Sequence, residues 1–281
     1  MLKKPESKRL PRNFHRTFKP ERQYINAMLR YAASGREGSI LDISKATGIP
    51  TGVSTGKVPA ILDYCLGMGL ISVNENRSAV KKPELTNFGR VLLLEDPFLK
   101  LGVSQWIAHF NMCNRFSGVD VWYHVFWVDS LSLGMSFTRD SLDSILRVIY
   151  KTNKGNLIGP LVSMYEDEAA FKLCNVLSES ENLISRKSAP ISDDLGRGYG
   201  AWILQMMGDY FPRYQQISIT ELDEKCGWRT IPGWSIASSL SVLELVERKG
   251  LIKVDRQMKP WLLQPLMSAS DAWRKVYIDM I

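Results

Sequence analysis

Ile40-Leu41-Asp42-Ile43-Ser44-Lys45-Ala46-Thr47-Gly48 opens the stretch that decides the fold. It leads through Thr51 to Gly69, then Leu70-Ile71-Ser72-Val73, then a basic return ending near Leu85. A short segment stopped at Gly48-Ile49-Pro50, a longer one of helical spacing, and an alternating strand with its return make the order of a winged helix-turn-helix. The order recurs near the other end. There, Ile217-Ser218-Ile219-Thr220-Glu221-Leu222 precedes Gly227, a segment from Trp234 to Gly250, Leu251-Ile252-Lys253-Val254, and a return at Trp261-Leu262-Leu263. An ordered set met twice is more specific than any of its members.

Upstream, Pro20 suits a first helical position, and Ile25, Met28, Leu29 and Ala32 recur at helical spacing as far as Ser34. Ile40 to Ile43 can form a short strand or enter the next helix. A third helix is expected from about Ser54 to Gly67, burying Val58, Ile61, Leu62, Cys65 and Leu66. Asn74-Glu75-Asn76-Arg77 would turn the wing, and Thr86 would cap a helix over Asn87 to Glu95 that Asp96-Pro97 ends. Between the two units, Trp106, His109, Phe110, Trp122, Tyr123, Phe126 and Trp127 crowd two segments. A helix from Ser136 or Thr138 to Tyr150 and an amphipathic helix from Pro160 to Leu177 are expected there. The polar stretch Ser178 to Gly198 reads as a connector to a helix over Gly200 to Tyr210. The expected class is mainly α with small β wings: winged helix-turn-helix units at both ends joined by a helical middle. The division is a basic arm over 1–19, a winged unit over 20–97, a helical middle region over 98–196, and a second winged-helix-like domain over 197–281.

The chain has 281 residues, 45% of them hydrophobic, a composition that supports a buried core. No apolar run approaches the length of a membrane helix. The start, Met1-Leu2-Lys3-Lys4-Pro5-Glu6, has no apolar signal core. Cys65, Cys113, Cys174 and Cys226 form no CxxC pair and read as reduced, packed thiols of a cytoplasmic protein. The net charge is +7, and ten Lys or Arg stand within residues 1–36 against only Glu6 and Glu21. Nucleic acid is therefore the first partner to consider, because cations that neutralise phosphates release counterions. The charge distribution predicts that the arm and first unit carry most of the affinity.

Candidate contacts to double-stranded DNA come from the winged layout, with the third helix toward the major groove and the hairpin against backbone. In the arm and first unit they are Arg9, Arg12, Arg16, Arg22, Ser54, Thr55, Lys57, Arg77, Lys81 and Lys82. In the second they are Arg229, Lys253, Arg256 and Lys259, with Thr230, Ser235 and Ser238 beside them. Serines and threonines at such places are helix caps at least as often as base contacts. Gly52-Val53-Ser54-Thr55-Gly56-Lys57-Val58 lacks phosphate-loop spacing, since Val58 stands where a hydroxyl should reach magnesium; its glycines fit a turn into the third helix. His109 and His124 read as core residues. Glu166-Asp167-Glu168 and Asp193-Asp194 read as solvated faces, because neighbouring carboxylates do not converge on one metal. The aromatic group around Trp122 reads as core before base stacking.

The assembled residues resemble the SspB-like proteins of bacterial DNA phosphorothioation and phage-defence operons. The resemblance runs from about Phe14 to Leu266. It is carried by Phe14-His15-Arg16-Thr17-Phe18, Gly52 to Ile61, Leu85-Thr86-Asn87-Phe88-Gly89 with Asp96-Pro97, Trp106 with His109, the block Trp122 to Trp127, and Gly250-Leu251-Ile252. The family carries an acidic residue after the histidine where this chain has Arg16, and its next arginine is shifted to Arg22. The resemblance implies a DNA-working component alongside a sulfur-transfer ATP pyrophosphatase, a cysteine desulfurase and an ATPase. Some members of that family are DNA nicking proteins, a DNA nickase here would take magnesium or manganese, and the resemblance assigns no catalytic residues. Two other readings remain open from the residues: a winged-helix transcription regulator, or an adaptor docking protein partners, for which Trp234 on the second unit's third helix would be presented.

Overall fold

Ser39 sets the conformation of the segment after the first helix. Its hydroxyl accepts the Asp42 N–H at 3.2 Å while the Asp42 carboxylate accepts the Ser39 N–H at 3.0 Å, a closed capping box. Ile40 to Ile43 therefore enters a helix and not a strand. The computed structural model describes residues 9–52, 56–73 and 79–280. Helix α1 (Arg22–Ala33) starts after Pro20, with Glu21 at its N-cap, and buries Ile25, Met28, Leu29 and Ala32 as their spacing predicts. Helix α2 (Ile40–Thr47) ends at Gly48, whose φ of 71° is the left-handed conformation that closes a helix. Helix α3 (Lys57–Gly67) buries Val58, Ile61, Leu62 and Cys65. Strands β1 (Ile71–Val73) and β2 (Pro83–Leu85) pair antiparallel with Ile71 opposite Leu85. Gly38 adds a rung: its N–H reaches Lys81 O at 3.0 Å, and the reverse bond is 2.8 Å. Helix α4 (Asn87–Glu95) is capped by Thr86, which accepts the Gly89 N–H at 3.0 Å and donates to Gly69 O at 2.6 Å.

The middle holds α5 (Gly102–Met112), α6 (Asp120–Tyr123) running into a π-helical turn (His124–Val128), α7 (Ser130–Leu133) and α8 (Arg139–Tyr150). Buried Asp96 fixes the turn into α5, accepting the Lys100 and Leu101 N–H groups at 2.7 and 2.9 Å and the Ser104 hydroxyl at 2.6 Å. Thr138 caps α8. Two expectations need correction. Pro160 to Leu177 is not an amphipathic helix; only a 3-10 turn at Ser163–Tyr165 forms. Leu161, Val162, Met164, Tyr165, Ala170, Phe171, Cys174 and Val176 are all buried, and on a helix they would fall all round it, not on one face. The chain winds through the interior in turns. Nor is Ser178 onward a plain connector: β4 (Leu177–Ser180) and β5 (Leu183–Arg186) form a hairpin. Its Glu181-Asn182 turn has φ of 51° and 64°, as tight hairpins of right-handed twist require. With β3 (Ser136–Thr138) the sheet order is β3-β5-β4, so the middle is not purely helical.

Helix α9 (Gly196–Tyr210) begins four residues earlier than Gly200. Then come β6 (Ile217–Ser218), α10 (Ile219–Cys226), α11 (Ile236–Arg248), β7 (Ile252–Asp255), β8 (Leu262–Pro265) and α12 (Ala269–Trp273), with the antiparallel order β6-β8-β7. The two ends thus repeat one order of elements, and the molecule is mainly helical with small antiparallel sheets. They meet where Phe88 stacks on Trp273 at 4.9 Å, and the middle meets α9 where Phe110 lies 4.6 Å from Trp202. All four cysteines are unpaired and buried. Among the described residues no helix is long and apolar enough to cross a membrane.

Candidate nucleic-acid interface

The described part of the basic arm is docked on the protein. Leu10 bridges Val119, with its N–H 2.9 Å from Gly118 O. Arg9 donates to Asp120 at 2.8 Å and to Arg115 O at 2.8 Å, and covers the Tyr123 ring at 4.0 Å. Phe14 is buried edge-on to Tyr64 at 4.7 Å and Trp122 at 6.0 Å. His15 is buried too, its Nδ1 accepting the Thr17 N–H at 2.9 Å, and burial lowers its pKa to about 4. The motif Phe14 to Phe18 is therefore an anchor that holds the segment down. Arg12 lies over Tyr150 at 5.2 Å, and Arg16 is exposed. Lys3, Lys4 and Lys8 lie outside the described residues.

On the first repeat, several candidate cations have partners inside the chain. Lys57 meets Glu21 at 2.6 Å and covers Tyr24 at 4.6 Å. Arg22 donates to the carbonyls of Phe98, Leu99 and Glu168 at 3.3, 3.5 and 2.6 Å. Lys81 is half-buried at the Gly38 bridge, and Lys82 is exposed. Ser54, Thr55 and Arg77 lie outside the described residues. A side chain at Gly56 would come within 2.1 Å of Thr51 Oγ1, so that glycine serves the close approach before α3, and Lys57 is committed to Glu21.

On the second repeat, Ser218 and Ser235 cap α10 and α11, accepting N–H groups of Glu221 and Ser238 at 3.1 Å each. Arg229 is held by Asp223 at 2.9 Å. Arg256 pairs with Glu247 at 2.8 Å and covers Trp261 at 5.3 Å, while Lys253 and Lys259 are exposed on and beside the hairpin. Trp234 is not presented on the surface: it is buried, donating to Ala189 O at 2.9 Å. An aromatic residue at the mouth of a helix is as useful to a core as to a partner, and here the core takes it.

The candidate catalytic groups are also structural. His109 is fully buried, its Nδ1 2.7 Å from the Tyr165 hydroxyl, which accepts the Trp122 indole N–H at 2.8 Å. Burial holds its pKa well below the ordinary histidine value. His124 sits 2.9 Å from Asp129. The acidic run disperses: Glu166 accepts the Glu179 N–H at 2.7 Å, Asp167 pairs with Lys19, and Glu168 pairs with Lys172 at 2.5 Å. Asp193 pairs with Arg248 and Lys249. Among the described residues no three His, Cys, Asp or Glu side chains converge as a metal site. One grouping is invisible in the sequence: Arg22, Lys100, Lys172 and Lys187 line one groove. They come from four distant segments, so no local pattern announces them.

The fold has known counterparts. A magnesium-ion-bound SspB crystal structure and an SspB crystal structure each align with a TM-score of 0.65 and 17% identity, covering 95% of this chain and 88% of theirs. No family model matches the chain, and no curated protein matches it in sequence. At that identity the likeness is one of fold, and this chain has an SspB-like fold.

Proposed function

We propose that the chain is a DNA-binding component of a bacterial DNA phosphorothioation and phage-defence system, working in the cytoplasm on double-stranded DNA. The repeats over 20–97 and 197–281 act as winged helix-turn-helix units, and the region 98–196 sets their spacing. The observation that carries the reading is the repeated order of two helices and a hairpin, in a chain of SspB-like fold, with Lys82, Lys253 and Lys259 exposed on or beside the hairpins. Helices α3 and α11 are the elements to enter grooves, and the hairpins lie along backbone. Partners of the kind the resemblance implies, a sulfur-transfer ATP pyrophosphatase and an ATPase, would act at the bound site.

Nicking belongs to the same reading, since one SspB structure holds a magnesium ion. The described residues of this chain do not fit a magnesium site, because their acidic side chains are dispersed among separate cations and backbone donors. Fluorescence titration of duplex DNA at several salt concentrations tests the binding. The expected outcome is binding that weakens steeply with salt; absent binding at low salt, or indifference to salt, overturns it. Supercoiled plasmid with magnesium or manganese tests nicking. Metal-dependent relaxed circles support it, and an intact supercoiled band alongside tight binding leaves a regulator-like binder without a catalytic step.

A further inference from the structure

We propose that the groove lined by Arg22, at the start of the first repeat, and by Lys100, Lys172 and Lys187 of the middle region is a phosphate-binding site. It rests in part on the DNA-binding reading, because it places one strand's backbone beside α3. The groove encloses about 650 Å³. Its single carboxylate, Glu168, is taken by Lys172 at 2.5 Å. Among the described residues neither Lys100 nor Lys187 has an ion pair, so the groove keeps an excess of positive charge. Like charges gathered in a concave wall repel one another and focus a field, and an anion offsets that cost.

The walls are stiff where they need to be. Three carbonyls hold the Arg22 guanidinium, and they supply partial charges only. The Lys100 N–H is fixed by buried Asp96 at 2.7 Å, and the Lys187 N–H by Val176 O at 2.8 Å. The floor is Gln105, fully buried and locked by Leu99 O at 2.8 Å and by the Cys174 N–H at 3.0 Å. A planar guanidinium with flexible ammonium groups beside it suits a tetrahedral oxyanion.

The position says which phosphate. Glu21, next to Arg22 in the chain, holds Lys57 at the first turn of α3. One wall of the groove thus adjoins in sequence the residue that holds the amino end of α3, and the strand flanking the bases contacted there is the backbone proposed to fill it. A free nucleotide or pyrophosphate carries the same chemistry and is the other possible source.

The test uses the full chain, the K100Q/K187Q variant, and K151Q/K154Q as an equally exposed control pair outside the groove. Duplex DNA is titrated across a salt series, and pyrophosphate and ATP are titrated by calorimetry. If the backbone is the source, the groove variant loses about two units of the log–log salt slope and at least tenfold in affinity, while the control loses clearly less. Equal losses in the two variants, or none in the groove variant, overturn the proposal. If the unaltered protein ignores DNA yet binds pyrophosphate in a manner the groove variant loses, the groove stands with a free phosphate as its ligand and the DNA reading fails. Binding of neither DNA nor phosphates overturns both.

Discussion

The two repeats reach one order of elements by different local chemistry. Both second helices run eight residues, begin at a capping serine (Ser39 and Ser218) and end at a left-handed glycine (Gly48 and Gly227). They part at the helix after the hairpin. In the first repeat, α4 presses so close to the turn before β1 that a side chain at Gly89 would meet Leu70 O at 1.9 Å. In the second, the same place three residues after the cap is Asp271, exposed and hydrogen-bonded to Ser268. One repeat is tightened by backbone contact, and the other is held by side chains from outside it. Arg186 is the chief of these: buried on β5, it donates to Thr230 O and Ile231 O at 2.8 Å each and to Phe126 O at 3.3 Å. Matching topology therefore does not imply matching sources of stability.

The contrast is broken most directly at the close approach. Gly89→Ala should destabilise the protein by about 3 kcal/mol or more, because a backbone oxygen cannot be repacked as a side chain can. Asp271→Ala should cost about 1 kcal/mol, the scale of one cap interaction. Denaturant midpoints compare the two, and equal costs would remove the distinction between the repeats.

The second expected effect concerns the ties from the middle of the chain. Arg186 stays charged at neutral pH, its pKa lowered to about 10 by burial. Arg186→Met leaves three carbonyls without their donor and should cost about 2–3 kcal/mol. Arg9→Met removes the partly exposed pair with Asp120 and should cost about 1 kcal/mol or less. Hydrogen exchange should show the Arg186 variant opening first in α10 and the loop after it. Uniform loosening of the molecule would contradict the assignment.

A smaller difference should appear in DNA binding. Net charge places the affinity in the amino-terminal part, yet Arg9, Arg22 and Lys57 have partners inside the chain, while Lys253 and Lys259 are exposed. K253A/K259A should lower the salt slope by about two units, and Lys57→Ala by less than about one, since Glu21 already neutralises it. A greater loss from Lys57→Ala would restore the first repeat as the main electrostatic contact.

The smallest effect is one of pH, confined to the arm and the first repeat. Burial raises the Asp63 pKa to about 6, against the opposing influence of Arg16 and Lys81, and lowers that of His15 to about 4. Between about pH 6 and 4 the folded chain binds more protons at Asp63 than the unfolded chain, so this group adds stability as pH falls. Between about pH 6.5 and 4 it binds fewer at His15, so that group removes stability as pH falls. The two oppose each other. Asp63→Asn should leave the His15 loss uncompensated, giving a steeper fall in melting temperature from about pH 7 to 5 than the unaltered protein shows. An unchanged slope would mean that Asp63 titrates as an ordinary carboxylate.

Local order was legible wherever one short stretch contains its own cause. Thr86 as a cap, Gly48 as a stop and the inward residues of α1 and α3 need only near neighbours, and they stand where their spacing places them, except that Leu66 is only half-buried. Pro160 to Leu177 misleads because its buried residues, interrupted by exposed Glu166, Glu168, Ala169 and Lys172, follow no single helical face, and the turns it adopts depend on what surrounds it. The hairpin of β4 and β5 is hidden because Glu181-Asn182 is not a familiar turn pair and β5 needs β3, distant in the chain, as its second partner. Among site residues, the basic types are evident and their availability is not. An arginine reads the same whether it faces a phosphate or, like Arg229, a nearby carboxylate.

The repeated order of helices and hairpins, the capping residues and the basic character are all dictated by sequence, because each arises from contacts within a few residues or from summed charge. Tertiary structure alone decided which cations are free, that Trp234 is core, that Gly89 must lack a side chain, and that Arg22, Lys100, Lys172 and Lys187 share a groove. Those outcomes depend on segments brought together from distant parts of the chain, and only folding specifies such distances.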